Sequence, residues 1–192
     1  MPKDMIARMI GKALRGIRAS DKYLAWNAPA LASAPDRIRL VSSAFAEGRA
    51  IPVRYAGAGV GENISPPLSW SGVPEEAAEL ILIVQDPDAP LPRPVVHVIA
   101  TGISPAAGGL AEGALGAAPA PGIRLGRASF GRRAYAGPRA LPGHGPHRYV
   151  FQLVALRRPL ALAKEPRLSE LLAAISADVI ARGRLIGTFE QR

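Results

Sequence analysis

The stretch "DPDAPLPRPVVH", Asp86 to His97, holds the key to the fold of this chain. Five consecutive apolar residues, Leu80 to Val84, and then Gln85 lead into it, which predicts a central buried strand over Leu80–Gln85. Four prolines fill the next nine positions. Each lacks a backbone N–H and fixes φ, so the ladder cannot continue through them. A second apolar run, Val95–Thr101, follows and carries His97. The pattern is therefore strand, rigid corner, strand. The corner holds two carboxylates, and an imidazole stands on the far side. A metal site, an acid–base pair, a binding pocket and a decorated turn all fit that description.

The neighbouring segments predict a mostly β chain, with an antiparallel sandwich as the expected architecture and a few peripheral helices. "IRLVS" and "IPVRY" read as strands with Gly48 in the turn between them. "GAGVGENISPPLSW" reads as loop. Pro105–Gly122 is rich in small residues and reads as a long surface loop. His147–Leu156 alternates so that His147, Tyr149, Phe151 and Leu153 share one face of a strand. Leu168–Ala181 reads as a helix with a stripe of Leu168, Leu171, Leu172, Ile175 and Val179, stopped by Gly183. "RLIGTFE" reads as a last strand.

Residues 1–36 read as an extension to a domain spanning 37–192. Met5, Ile6, Met9, Ile10, Ala13, Leu14 and Ile17 fall on one side of a helical wheel, and Arg8, Lys12, Arg15, Arg18 and Lys22 on the other. Such a basic amphipathic helix packs on its own domain, joins a second subunit in a homodimer, or lies on a membrane surface. Asn27, Pro29 and Pro35 are expected to mark a linker after it.

Composition bounds the chemistry. The 192 residues suit one main domain. With no cysteine, disulfides, thiolate metal sites and a cysteine nucleophile are excluded, and a cytoplasmic location is expected. No apolar run approaches the length of a membrane span, and basic residues interrupt every candidate leader core. The net charge of +9 belongs to one segment. From Gly113 to Lys164 there is no acid, and nine basic residues occur: Arg124, Arg127, Arg132, Arg133, Arg139, Arg148, Arg157, Arg158 and Lys164. They form either a solvated surface or an anion-attracting patch. Aromatics are only 5% of the chain, so a base-stacking platform for nucleic acid is not expected.

Asp86, Asp88 and His97 are the candidate metal ligands, but the prolines shape the acids for a turn, and "GP" between His144 and His147 prevents a helical ligand pair. No metal and no cofactor are expected. Neither a Gly-x-Ser-x-Gly elbow nor a phosphate-cradling lysine loop is present. A small pocket remains, with Asp86 orienting and charging His97.

"ENISPPLSW", "DPDAP" with the strand histidine after it, "YAGP…PGHGPHRYVF" and the terminal "LIGTFE" together resemble the phosphatidylethanolamine-binding protein family, in its bacterial Raf-kinase-inhibitor-like branch. The resemblance runs from Ile38 to Glu190. It implies a β-sandwich with a small cavity for anions, including phosphoryl headgroups. By motif match the cavity would use Asp86, His97, His147 and Tyr149, with Gly137 and Pro138 in the rim loop. Asp88 and Pro90 would shape the corner. Arg139 departs from the proline-rich rim of relatives and would cap the anion or close the mouth. The function implied is a non-enzymatic binding protein that modulates a kinase or protease by contact. The alternative is a hydrolase or phospholipase-like enzyme with a pocket histidine as base.

Overall fold

The computed structural model describes residues 3–162 and 165–191. Two antiparallel sheets and few helices make up the chain. The elements used below are helix α1 (Lys3–Leu14), the short helix α2 (Pro29–Ala32), β1 (Arg39–Val41), β2 (Leu68–Ser71), β3 (Glu79–Asp86), β4 (Val95–Ile103), β5 (Gly109–Leu110), β6 (Arg124–Leu125), β7 (His147–Leu156), α3 (Leu168–Ile175) and β8 (Val179–Phe189). One sheet has the order β1-β2-β5 and the other β6-β4-β3-β7-β8.

Strand β3 is the middle of the larger sheet, and all eight of its residues are buried. Its side chains alternate between two apolar clusters, which explains the unbroken apolar run. Leu80, Leu82 and Val84 join Leu40, Leu68 and Trp70 of the smaller sheet. Ile81 and Ile83 meet Leu171 and Ile175 of α3, with Leu31 of α2. The prolines then end β3 and β4 restarts at Val95, antiparallel to it.

The register of this pair is not regular. Val84 faces Val98, but Gln85 faces Val96, so His97 is an extra residue in β4. A bulge of this kind re-aims side chains next to it. Val96 consequently reaches the helix-covered cluster and Val98 the inter-sheet cluster, although they stand two apart.

Several sequence expectations are corrected. "IPVRY" is not a strand: Val53–Tyr55 forms a helical turn after Pro52, which has no N–H for a ladder. The Pro105–Gly122 stretch is not all surface loop, because β5 lies in it and Leu115 is buried. The last helix ends at Ile175, and Val179 belongs to β8. Gly183 stops nothing. It pairs with Leu153 in mid-strand, where any Cβ would collide with the Ile38 carbonyl. Ten ladder pairs with β7 outweigh the helical periodicity of this stretch.

The linker expectation also fails. Ala25 and Leu31 are fully buried in the helix-covered cluster. The N–H groups of Ala25 and Trp26 donate to the side chains of Gln85 and Gln152 at 2.7 and 2.6 Å. Two buried glutamines in central strands thus fasten this segment, and the core begins near Leu24 rather than after residue 36.

Candidate ligand-binding cavity

The end of β3, the bulge of β4 and the start of β7 enclose a cavity of about 480 Å³. Asp86, Pro90, His97, Gly137, Arg139, His147 and Tyr149 line it. Asp88 and Pro138 do not. Asp88 is buried at the corner, and the Pro138 carbonyl accepts from the Gly57 N–H at 2.9 Å. The Gly137 N–H is not free for a ligand, because it donates to Asn63 Oδ1 at 2.8 Å.

The corner is built as an Asx turn. Asp86 Oδ1 accepts from the Asp88 and Ala89 N–H groups at 2.7 and 3.1 Å. Asp88 turns back and accepts from the Arg148 backbone and guanidinium, with Arg18 at 3.2 Å. Burial works to raise the Asp88 carboxyl pKa, but the Arg148 bonds and the Arg18 charge outweigh it and hold it below its ordinary value.

The expected pairing of Asp86 with His97 is corrected. Asp86 Oδ2 instead accepts from His147 Nδ1 at 2.8 Å, with both side chains buried. His147 Nε2 lies 2.8 Å from His144 Nδ1. His144 Nε2 lies 2.9 and 3.0 Å from the Leu14 and Ile17 carbonyls. Each of these three links needs one proton, and the carbonyls can only accept. Two neutral imidazoles carry two N–H groups. The chain from Asp86 to the N-terminal segment is complete only when it holds a third proton.

His97 is different. Its Nδ1 bonds the Ala136 carbonyl, so Nδ1 carries the proton and Nε2 is the bare nitrogen. Burial pulls its pKa below the ordinary 6.5, against the opposing effects of the Ala136 hydrogen bond and the Asp86 charge. Its Nε2 is buried and has no hydrogen-bond partner among the described residues; the Tyr149 hydroxyl also lacks one of full geometry, although the Arg139 backbone N–H approaches it closely enough to favour its ionised form. The two rings meet edge to face at 5.0 Å. A neutral His97 accepts rather than donates, contrary to the charged donor that Asp86 was expected to make of it.

The basic segment is largely neutralised from outside. Arg124, Arg127, Arg133, Arg148 and Arg158 pair with acids elsewhere in the chain. Arg132, Arg139 and Arg157 have no ion-pair partner among the described residues, and Lys164 lies outside them. Arg132 and Arg139 both line the cavity. Sequence reasoning named Arg132 only within the basic segment and missed the exposed Phe130 beside it. Phe130 adopts φ 60 in the helical turn Ser129–Gly131, a strained backbone for an aromatic residue. Among the described residues no cluster of three or more metal-ligating side chains occurs.

A family model described as phosphatidylethanolamine-binding protein matches residues 41–190. The UPF0098 protein of Methanothermobacter thermautotrophicus is 39% identical over 155 residues, covering 80% of this chain and 99% of its own. A Mycobacterium tuberculosis relative, provisionally classed as a lipoprotein by its name, is 42% identical over 161 residues, 83% of this chain and 75% of that one. The crystal structure of a phosphatidylethanolamine-binding protein homologue from Chlamydia trachomatis is similar at TM-score 0.73 and 37% identity, over 82% of this chain and 99% of that one. Escherichia coli YbcL is similar at TM-score 0.74 and 26% identity, over 81% and 99%. With 150 of its residues matched by the family model and relatives near 40% identity, the chain belongs to the phosphatidylethanolamine-binding protein family.

Proposed function

We propose that this chain is a non-enzymatic binding protein whose cavity, on a face-to-face sandwich of the two sheets, holds a small phosphoryl anion or phosphorylated headgroup. Family membership supports a binding role. The observation that carries the ligand class is the pair of buried, unpartnered atoms, His97 Nε2 and the Tyr149 hydroxyl, in one cavity with the unpaired Arg132 and Arg139. Burying polar groups without partners is costly, and a ligand that satisfies them recovers that cost. The chemistry is mixed: one bare acceptor, one hydroxyl and two guanidinium groups. A phosphoryl group that retains one P–OH answers all of them, with its hydroxyl on His97 and its charged oxygens on the donors.

Among the described residues the cavity lining contains no serine or threonine, and its one hydroxyl is that of Tyr149. Phe130 and Leu91 form an exposed apolar lip at the mouth, suited to contact with a protein such as a kinase or protease. Calorimetric titration with inorganic phosphate and with phosphoethanolamine tests the reading. Saturable binding that falls at least about tenfold in Tyr149→Phe is expected, the loss of one hydrogen bond to a charged group. Binding unaffected by Tyr149→Phe and by Arg139→Gln overturns the assignment. Ester or phosphoester turnover that vanishes in His97→Ala would replace it with the enzyme reading.

A further inference from the structure

We propose that α1 is a docking surface for an anionic lipid bilayer. The proposal stands on this helix alone and does not rest on what fills the cavity. Helix α1 lies outside the residues matched by the family model.

The helix is fastened to the domain by the side opposite its apolar stripe. Gly11 is buried against Pro142 and His144, where a Cβ would collide with the Pro142 carbonyl. Arg15 donates to the Gly143 carbonyl at 3.1 Å, and Arg18 to that of Pro146 at 3.2 Å. His144 bonds the carbonyls of Leu14 and Ile17. All these contacts are polar or glycine-mediated. At 3.6 residues per turn, Met5, Ile6, Met9 and Ala13 lie roughly 120–160° round the axis from Gly11. Met5, Ile6, Met9 and Ile10 are 42, 44, 57 and 48% exposed, and Ile17 is 53% exposed. None of the three apolar clusters includes a described residue of α1. An apolar stripe is thus turned to solvent by a helix whose polar side is clamped.

Charge selects the occupant. Lys12 borders the stripe, about 100° round from Gly11, and Arg8 lies between the stripe and the clamp, about 60° round; both are exposed and have no ion-pair partner among the described residues. Asp4, the acid of the helix, falls on the clamped side, about 20° from Gly11 by the same geometry. An apolar stripe edged by cations is the composition of a helix that lies in the interface of an anionic membrane. A symmetric contact with a second copy would instead bring the Arg8 and Lys12 cations of both helices to one interface. At twelve residues, α1 is too short to cross a bilayer, and no described helix is long and apolar enough to do so.

Sedimentation of the full chain with vesicles tests this. The protein should pellet with mixed phosphatidylcholine–phosphatidylglycerol vesicles, far less with phosphatidylcholine alone, and less as salt rises. Met9→Asp with Ile10→Asp should weaken the partition at least about tenfold. Arg8→Gln with Lys12→Gln should weaken it by about tenfold too, while leaving the apolar stripe intact. The cavity variant Tyr149→Phe and the remote surface variant Val53→Ser should pellet like the unaltered protein. Failure of the unaltered protein to pellet overturns the proposal. Loss of pelleting in Tyr149→Phe would assign the lipid contact to the cavity and overturn it as well. So would a dimer in sedimentation velocity that Met9→Asp with Ile10→Asp dissociates.

Discussion

The two sides of the cavity treat their histidines in opposite ways. On the β7 side, His147 is saturated: Asp86 holds one nitrogen and His144 the other. On the β4 side, His97 has one nitrogen held and one left bare, next to an unpartnered tyrosine hydroxyl. The first arrangement is structural, since every polar atom already has an internal partner. The second leaves two buried polar atoms without a partner among the described residues. A histidine in a pocket is therefore a ligand contact in proportion to what its surroundings leave unsatisfied.

The comparison breaks most visibly at Asp86. Asp86→Ala removes the carboxylate, leaves the buried His147 unpaired and dismantles the Asx turn. It should cost about 3–5 kcal/mol in urea unfolding, the scale of a broken buried pair. A loss under about 1 kcal/mol would show that the β7 side is not held by this chain of bonds.

His144→Ala should act at the far end of the same chain. It frees the carbonyls of Leu14 and Ile17 and should expose residues 3–18 to limited proteolysis several-fold faster. The unfolding midpoint of the core should fall less than for Asp86→Ala, because Leu24 onward has its own anchors. Unchanged proteolysis would mean that Arg15, Arg18 and Gly11 suffice to hold the helix.

Around His97, where the Tyr149 ring of β7 meets β4, the sign should reverse. Tyr149→Phe deletes an unsatisfied hydroxyl, so unfolding should show no loss and a gain of up to about 1 kcal/mol, even as anion affinity drops. Destabilisation by a similar amount would reveal a partner for the hydroxyl and remove the contrast.

Asp86→Asn sharpens the proton count. An asparagine N–H can donate to His147 Nδ1, after which two neutral imidazoles supply the two remaining links. The whole chain is then satisfied without its extra proton. Stability near neutral pH should change by less than about 1 kcal/mol, far less than for Asp86→Ala. Equal losses in the two variants would refute the count.

The smallest effect concerns pH. The folded pKa of His97 lies below its unfolded value because burial disfavours the cation. The unfolded chain therefore binds the proton first as pH falls. The stability due to this group is full above about 6.5 and is lost as pH drops below it toward the folded value. His97→Gln should flatten that part of the Tm–pH curve. A curve that keeps its slope would trace the acid sensitivity to other groups.

Much of the architecture was legible in the chain. The apolar run before "DPDAP" is the central strand, and His147–Leu156 is a strand with the ends expected. The motif residues Asp86, His97, His147 and Tyr149 do share one cavity. What misled was local pattern in places where tertiary contacts ruled. Val179 continues a helical stripe and Gly183 reads as its stop, but both pair with β7. Pro29 and Asn27 look like linker residues, but Gln85 and Gln152 accept the backbone N–H groups beside them. Those two glutamines were the available signal: an amide in a buried strand must find a partner.

Periodicity, proline placement and motif order are properties of neighbouring residues, so they determine where strands start, stop and turn. Hydrogen-bond partnership joins residues far apart in the chain, and no local rule assigns it. Asp86 had two imidazoles within reach, and the bulge at His97 decided between them. It shifted β4 by one residue and turned the His97 Nδ1 to the Ala136 carbonyl, while β7 brought His147 to the carboxylate. A one-residue change of register reverses which way a strand side chain points. The composition of the site was thus written in the chain, and its division into a saturated side and an open side arose only when the strands met.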